Sequence, residues 1–184
     1  MIMPTNKPLT NTTLTGAAGE YFVMSELLRR GFIAALAPQG APNIDILVSD
    51  TKGKQLCSLQ VKTRQAKGTD EGWHMSKKHE DLIQPAMFYC FVDLGNCDAN
   101  PPPPKVFVVP SAIVSKTLIE THQVWLKLPG RKGQAHNDNK MRRFRYHYDN
   151  LYRTVENPYF QGWLDPYKDA WHQLQLAPLD SEQA

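Results

Sequence analysis

Cysteine is scarce in this sequence, and its few cysteines follow no metal-binding pattern. The three thiols, Cys57, Cys90 and Cys97, lack the spacing of a zinc or iron–sulfur site. Two of them fall in stretches that are typical of core strands. We therefore expect reduced thiols and a cytoplasmic location, because disulfides are rare in that compartment.

Long hydrophobic runs are also missing. Residues 1–13 are polar, contain two prolines and lack the apolar segment of a signal peptide. No apolar run approaches the ~20 residues that a membrane-spanning helix needs. We expect a soluble protein with no membrane partner.

Several common catalytic motifs are absent as well. The sequence has no Cys–His or Ser–His–Asp nucleophile set and no glycine-rich phosphate loop. His74 and His79 lie five residues apart across a predicted loop–helix boundary, so they do not share a helix face. We interpret both as ordinary surface histidines.

The composition is that of one globular domain. The chain has 184 residues, of which 41% are hydrophobic and 10% aromatic, enough for a sizeable core. We expect a flexible tail over residues 1–13 and a single domain over residues 14–184 that ends in a basic loop and a helix. The order helix, three strands, helix, two strands, helix predicts an α/β fold with a mixed sheet covered by helices.

One predicted strand, Leu56–Thr63, carries an unusual polar pair. Gln60 and Lys62 point to the same face because side chains alternate along a strand. The preceding run, Asn43–Ser49, predicts a second strand joined to the first by a hairpin loop. Across that hairpin Asp45 can lie beside Gln60 and Lys62, and an acid, an amide and an amine on one sheet face indicate a site.

A further acid lies on the apolar side of the first predicted helix, Thr15–Arg30. Glu20 shares a helical stripe with three hydrophobic residues, Val23, Met24 and Leu27. A carboxylate in that position is costly unless it is paired or bound to a cation. Two interpretations remain open, a salt bridge at the core edge or a metal ligand. The helix also contains two glycines, which predict close approach of its first turns to a sheet.

Positive charge is concentrated near the end of the chain. Between Lys127 and Arg145 there are seven basic residues and one acid, a net charge of +6, whereas the remainder carries −3. Such asymmetry favours a polyanionic partner, and the alternative is a solvated loop. Predicted nucleic-acid contacts are Lys132, Arg142, Arg143 and Arg145. Trp73 either stacks on a base or packs in the core.

Three segments together resemble the PD-(D/E)XK nuclease superfamily: Gly16–Glu20, Asn43–Asp45 and Gln60–Thr63. Their order, spacing and helix–strand context resemble the branch in which a glutamine replaces the second acid. The resemblance covers residues 15–111. The sequence departs from the pattern in lacking a proline directly before Asp45 and a charge at Gln60.

The resemblance implies a restriction-endonuclease-like fold, a mixed β-sheet core flanked by helices. It also implies an active site of Glu20, Asp45, Gln60 and Lys62. Mg²⁺ would be held by oxygens of Glu20, Asp45, Gln60 and the Val61 carbonyl, with Mn²⁺ able to substitute. Lys62 would orient a water or stabilise charge on the phosphoryl group.

The implied function is a metal-dependent endonuclease that hydrolyses phosphodiester bonds of DNA by a one-metal, water-mediated mechanism. The alternative is a catalytically inactive nuclease-fold module that binds nucleic acid or a protein partner. The complete set of four polar residues favours the enzyme. A homodimer is compatible with both functions.

Overall fold

The chain folds around a five-stranded sheet with a helix on each face. The computed structural model describes residues 12–53, 56–66, 71–96, 101–152 and 156–174. Its elements are α1 (Thr12–Arg29), β1 (Ile33–Leu36), β2 (Ile46–Ser49), β3 (Leu56–Arg64), β4 (Gly72–Ser76), β5 (Met87–Asp93), β6 (Lys105–Pro110), α2 (Ser111–Lys127) and β7 (Met141–Arg145). Short 3-10 helices cover Lys77–Glu80, Asp165–Tyr167 and Trp171–Leu174.

The main sheet is mixed and has the strand order β1-β2-β3-β5-β6. The first three strands form an antiparallel meander, β5 runs parallel to β3, and β6 returns antiparallel to β5. Strands β4 and β7 pair with each other in a separate two-stranded ribbon. The predicted fold class, an α/β fold with a mixed sheet flanked by helices, is confirmed.

Each face of the sheet has its own core. On one face α1 buries Val23 and Leu27 against β2 and β3. On the other face α2 and the β4–β7 ribbon enclose an aromatic cluster around Trp73, Phe91 and Phe144. Every residue of β5 is buried, as its continuous apolar run predicts. Cys57 and Cys90 are buried and free.

A glycine sets the distance between α1 and β3. A Cβ atom at Gly19 would overlap the Oγ1 of Thr63, so the close approach requires glycine. The predicted role of the helix glycines is therefore confirmed at position 19. It is wrong at Gly16, where an added Cβ would meet nothing.

Several predicted boundaries are wrong. Strand β2 begins at Ile46 rather than Asn43, because Asn43 has a φ of +64°, outside the extended region. Helix α1 begins at Thr12, two residues inside the predicted tail, and residues 1–11 of that tail lie outside the described part. The segments predicted as loops around Trp73 and Arg142 contain β4 and β7.

The predicted C-terminal helix is two separate 3-10 turns, with Trp171 and Leu174 buried as its anchors. Among the helices of the described ranges, none has the length and apolar character to span a membrane.

Candidate active site

Asp45 lies at the start of β2 and is fixed against β3. Its backbone N–H donates to the carbonyl of Leu59 at 2.9 Å, and its Oδ2 accepts a hydrogen bond from the Val61 N–H at 2.7 Å. The backbone ladder between β2 and β3 ends at Ile46 and Leu59. The carboxylate therefore takes the place of the next backbone acceptor and rests beside the Gln60–Lys62 segment.

Gln60 carries a buried oxygen that has no partner. Its side chain is 5% exposed, and its Oε1 accepts no hydrogen bond from any described group. Burying such an oxygen unsatisfied costs about 1–3 kcal/mol. A side-chain carbonyl oxygen in this state is suited to a hard cation.

Glu20 and Lys62 are electrostatically linked to Asp45. Burial raises the pKa of the Glu20 carboxyl, and the charge of Asp45 raises it further while Lys62 opposes the shift. Burial lowers the pKa of the Lys62 ammonium, and Asp45, Lys78 and Glu20 act on it as well. Three charged groups from α1, the start of β2 and β3 thus share one environment.

Glu20 makes no salt bridge with any residue of the described ranges, so the core-edge ion pair that its sequence position allowed is not formed there. Its neighbours include a second carboxylate, which makes its ionised form less favourable. A cation at this position would relieve that repulsion.

The oxygen donors fit a magnesium-type ion. No three His, Cys, Asp or Glu side chains in the described ranges are grouped to hold a metal. The oxygens that could hold a metal are the carboxylates of Glu20 and Asp45, the orphaned amide oxygen of Gln60 and the Val61 backbone carbonyl. Hard oxygens with few protein ligands are what Mg²⁺ selects, whereas zinc sites use nitrogen and sulfur.

Sequence reasoning missed a buried pair beside this group. His79 is 3% exposed, and its Nδ1 lies 3.0 Å from the hydroxyl of Tyr89. Tyr89 is the β5 residue that pairs with Gln60 of β3 in the sheet. Burial and the charges of Lys62 and Lys78 lower the pKa of His79 to about 4. The prediction of a surface histidine is wrong for His79, although His74 is exposed.

Arg142 does not serve as a phosphate contact. It is 4% exposed, forms a close ion pair with Glu80, and also reaches Asp138 at 3.3 Å. On β7 it shares the buried face with Phe144, because alternate strand residues point the same way. The prediction that Arg142 binds nucleic acid is corrected by this buried ion pair.

The other predicted contacts divide between surface and core. Arg143 and Arg145 occupy the opposite face of β7, and Lys132 is exposed. Trp73 is 1% exposed, and its Nε1–H donates to the carbonyl of Val92 at 2.9 Å. The prediction that Trp73 contacts nucleic acid is therefore corrected, because the indole is enclosed in the core.

Comparisons with known proteins give structural neighbours only. No family model matches the chain, and no curated protein sequence does. The bacterial homing endonuclease I-Ssp6803I is 13% identical over 90% of this chain and 92% of its own, with a TM-score of 0.46. The Holliday junction resolvase Hjc of Archaeoglobus fulgidus is 14% identical over 77% of this chain and 90% of its own, with a TM-score of 0.39.

Proposed function

We propose that the chain is a metal-dependent endonuclease that hydrolyses phosphodiester bonds of DNA. The observations that carry this proposal are the electrostatic interaction of Glu20, Asp45 and Lys62 and the unpartnered buried oxygen of Gln60, two residues from Lys62 on β3. Two acids and an amide oxygen provide hard ligands, and the amine provides a positive group close by. Phosphodiester hydrolysis by a metal-dependent enzyme needs such ligands for the cation and positive charge near the phosphate.

The oxygens of Glu20, Asp45, Gln60 and Val61 would hold Mg²⁺, and Mn²⁺ would take the same ligands. A divalent cation bound there supplies the positive charge that polarises the phosphodiester and lowers the pKa of a bound water. The two carboxylates carry a charge of −2 when ionised, so the ligand set would be neutral with one divalent cation bound.

The chain's own residues orient the reactants. The Val61 N–H fixes the carboxylate of Asp45, so the acid is held in place before any ligand arrives. Lys62 positions the attacking water or stabilises negative charge that develops on the phosphoryl oxygens. His79 is neutral near pH 7, so Lys62 and Lys78 supply the positive charge here.

DNA is the proposed partner of the basic face of β7, opposite Phe144, and of the loop before it. Arg143 and Arg145 point away from the core on β7, and Lys132 is exposed in the loop before it. Cationic side chains of this kind neutralise backbone phosphates and place the duplex without reading its sequence.

Cleavage of a DNA panel tests the proposal. Linear, nicked, branched and single-stranded DNAs are incubated with the purified chain in Mg²⁺, in Mn²⁺ and in EDTA. We expect cleavage of at least one substrate with either cation and none with EDTA. Binding of DNA without cleavage under every condition would overturn the enzyme and support the non-cutting module.

A further inference from the structure

A cavity of about 420 Å³ lies between the C-terminal half of α2, β7 and the loop that follows β7. Its apolar walls include Leu118 and Leu151, and its polar groups include Asn139 and Asn150. A space of this size belongs to the range of small-ligand sites, about 300–1,000 Å³, and is much smaller than a groove for a duplex.

The cavity wall carries positive charge on β7. Arg143 and Arg145 both line it. Arg142 also lines the cavity, but its guanidinium forms ion pairs with Glu80 and Asp138. The lining acid, Glu71, lies 3.0 Å from His147. The cavity is therefore mainly apolar, with amide groups in its wall and positive charge along one edge.

The aromatic wall of the cavity is already formed. Trp125 is stacked with His136, at 4.0 Å between ring centroids, and with His122, at 5.2 Å. These imidazoles occupy part of its ring surface, and Trp125 bounds the space. A ligand in the cavity would also lie against Leu151 and the arginines.

The β4–β7 ribbon joins this cavity to the candidate active site. Met141, which lines the cavity, pairs with Ser76 of β4. Ser76 leads directly into the 3-10 helix that carries Lys78 and His79, and the charges of Lys62 and Lys78 both act on His79.

We propose that the cavity receives one unstacked nucleotide of the DNA substrate. The base would enter against Leu151 with amide groups at its edge, and its phosphate would lie toward Arg145. The proposal rests on the proposed function and specifies its substrate: DNA with an unpaired base, or one that is easily turned out of the helix. Such bases cost least to extrude and are bound by apolar contacts and edge hydrogen bonds.

Binding to two matched duplexes tests this inference without cleavage. One duplex is fully paired, and the other has the same sequence with one extra unpaired nucleotide; both are titrated in EDTA. Burial of one base predicts about 10-fold tighter binding of the unpaired duplex, because an unpaired base costs least to extrude from the helix. Leu151→Trp, which fills the cavity, should abolish the preference, so that the two duplexes bind with equal affinity.

Leu28→Trp is the matched control, since Leu28 is 54% exposed on α1 and does not line the cavity. It should retain the preference. Equal affinity of the wild-type chain for the two duplexes would overturn the inference, as would a preference that survives in a folded Leu151→Trp variant. Metal-dependent cleavage without the preference would leave the proposed function standing.

A second readout needs no variant. The fluorescent base 2-aminopurine is placed at the unpaired position of one duplex and at a paired position of the other. We expect binding of the wild-type chain to change the emission of the unpaired base and to leave that of the paired base unaltered. Identical responses from the two positions would contradict the inference.

Discussion

The backbone N–H of Val61 donates to Oδ2 of Asp45 at 2.7 Å, across the point where the β2–β3 ladder ends. This hydrogen bond gives the carboxylate a structural as well as a chemical role. Replacement by alanine would leave the N–H without its acceptor, at a cost of about 1–3 kcal/mol if it stays buried. Asparagine keeps an oxygen acceptor and removes the charge, so Asp45→Asn separates the two roles.

Lys62→Met should lower the cleavage rate by on the order of 10²-fold or more, because it removes one electrostatic stabiliser while keeping a similar length. Mg²⁺ binding, measured by calorimetry, should survive. Lys105→Met is the control, since Lys105 is exposed on β6, and it should cleave like the wild type. Loss of Mg²⁺ binding in Lys62→Met would make the lysine a structural residue.

Glu20→Gln should weaken Mg²⁺ binding and stabilise the metal-free chain near pH 7. Burial and then Asp45 raise the pKa of Glu20, so the folded state holds its proton more tightly than the unfolded state. The stabilising contribution of this group is full below its ordinary pKa and is lost as pH rises through the raised value.

The stability advantage of Glu20→Gln should therefore vanish in acid and be present near neutrality. Urea unfolding in EDTA, in acid and near neutral pH, measures the difference in unfolding free energy between the variant and the wild type. Calorimetry measures the Mg²⁺ affinity. Unchanged affinity would remove Glu20 from the ligand set.

His79 should make the chain less stable as the pH falls. Its pKa is lowered to about 4, against about 6.5 when unfolded, so the unfolded state binds more protons between these values. The wild type should lose about 2 kcal/mol of unfolding free energy between about pH 7 and about pH 5 from this residue.

His79→Gln retains a hydrogen-bonding partner for Tyr89 and should remove most of that loss in urea unfolding. His74→Gln, at an exposed position, should keep the wild-type pH dependence. A His79→Gln variant with the same pH dependence as the wild type would show that folding does not lower the pKa of His79.

Arg142 and Arg145 should behave differently although they lie three residues apart. Arg142→Gln breaks a buried ion pair with Glu80, and removing one partner of such a pair costs about 3–5 kcal/mol of unfolding free energy. Arg145→Gln should leave stability unchanged and reduce the slope of log DNA affinity against log salt by about 0.9. A salt slope unchanged in Arg145→Gln would take this arginine out of the DNA interface.

The sequence predicted those elements whose signals are local. The continuous apolar run of β5 and the alternation in β3 each lie within one segment, as does the helical stripe that contains Glu20. Strands β4 and β7 were missed because each is five residues long and pairs only with the other, from a distant part of the chain. Neither has enough alternation to be recognised alone.

The errors at individual residues follow from that omission. Without β7, charge alone indicated that Arg142 faces DNA; with β7 in place, the two-residue period puts it beside Phe144 in the core. Without β4, the positions of Trp73 and His79 could not be assigned to the interior. The absent partner of Gln60 Oε1 depends on three-dimensional packing and has no signal in sequence.

Mg²⁺-dependent cleavage by Asp45→Asn tests the central claim most directly. The variant and the wild type are compared on the best DNA substrate at equal concentration, with unfolding curves and Mg²⁺ calorimetry measured on the same preparations. The proposed site predicts a folded variant that has lost Mg²⁺ affinity and cleaves at least about 10²-fold more slowly, the scale of removing one key electrostatic group. Cleavage at the wild-type rate by folded Asp45→Asn would contradict the site and the mechanism built on it.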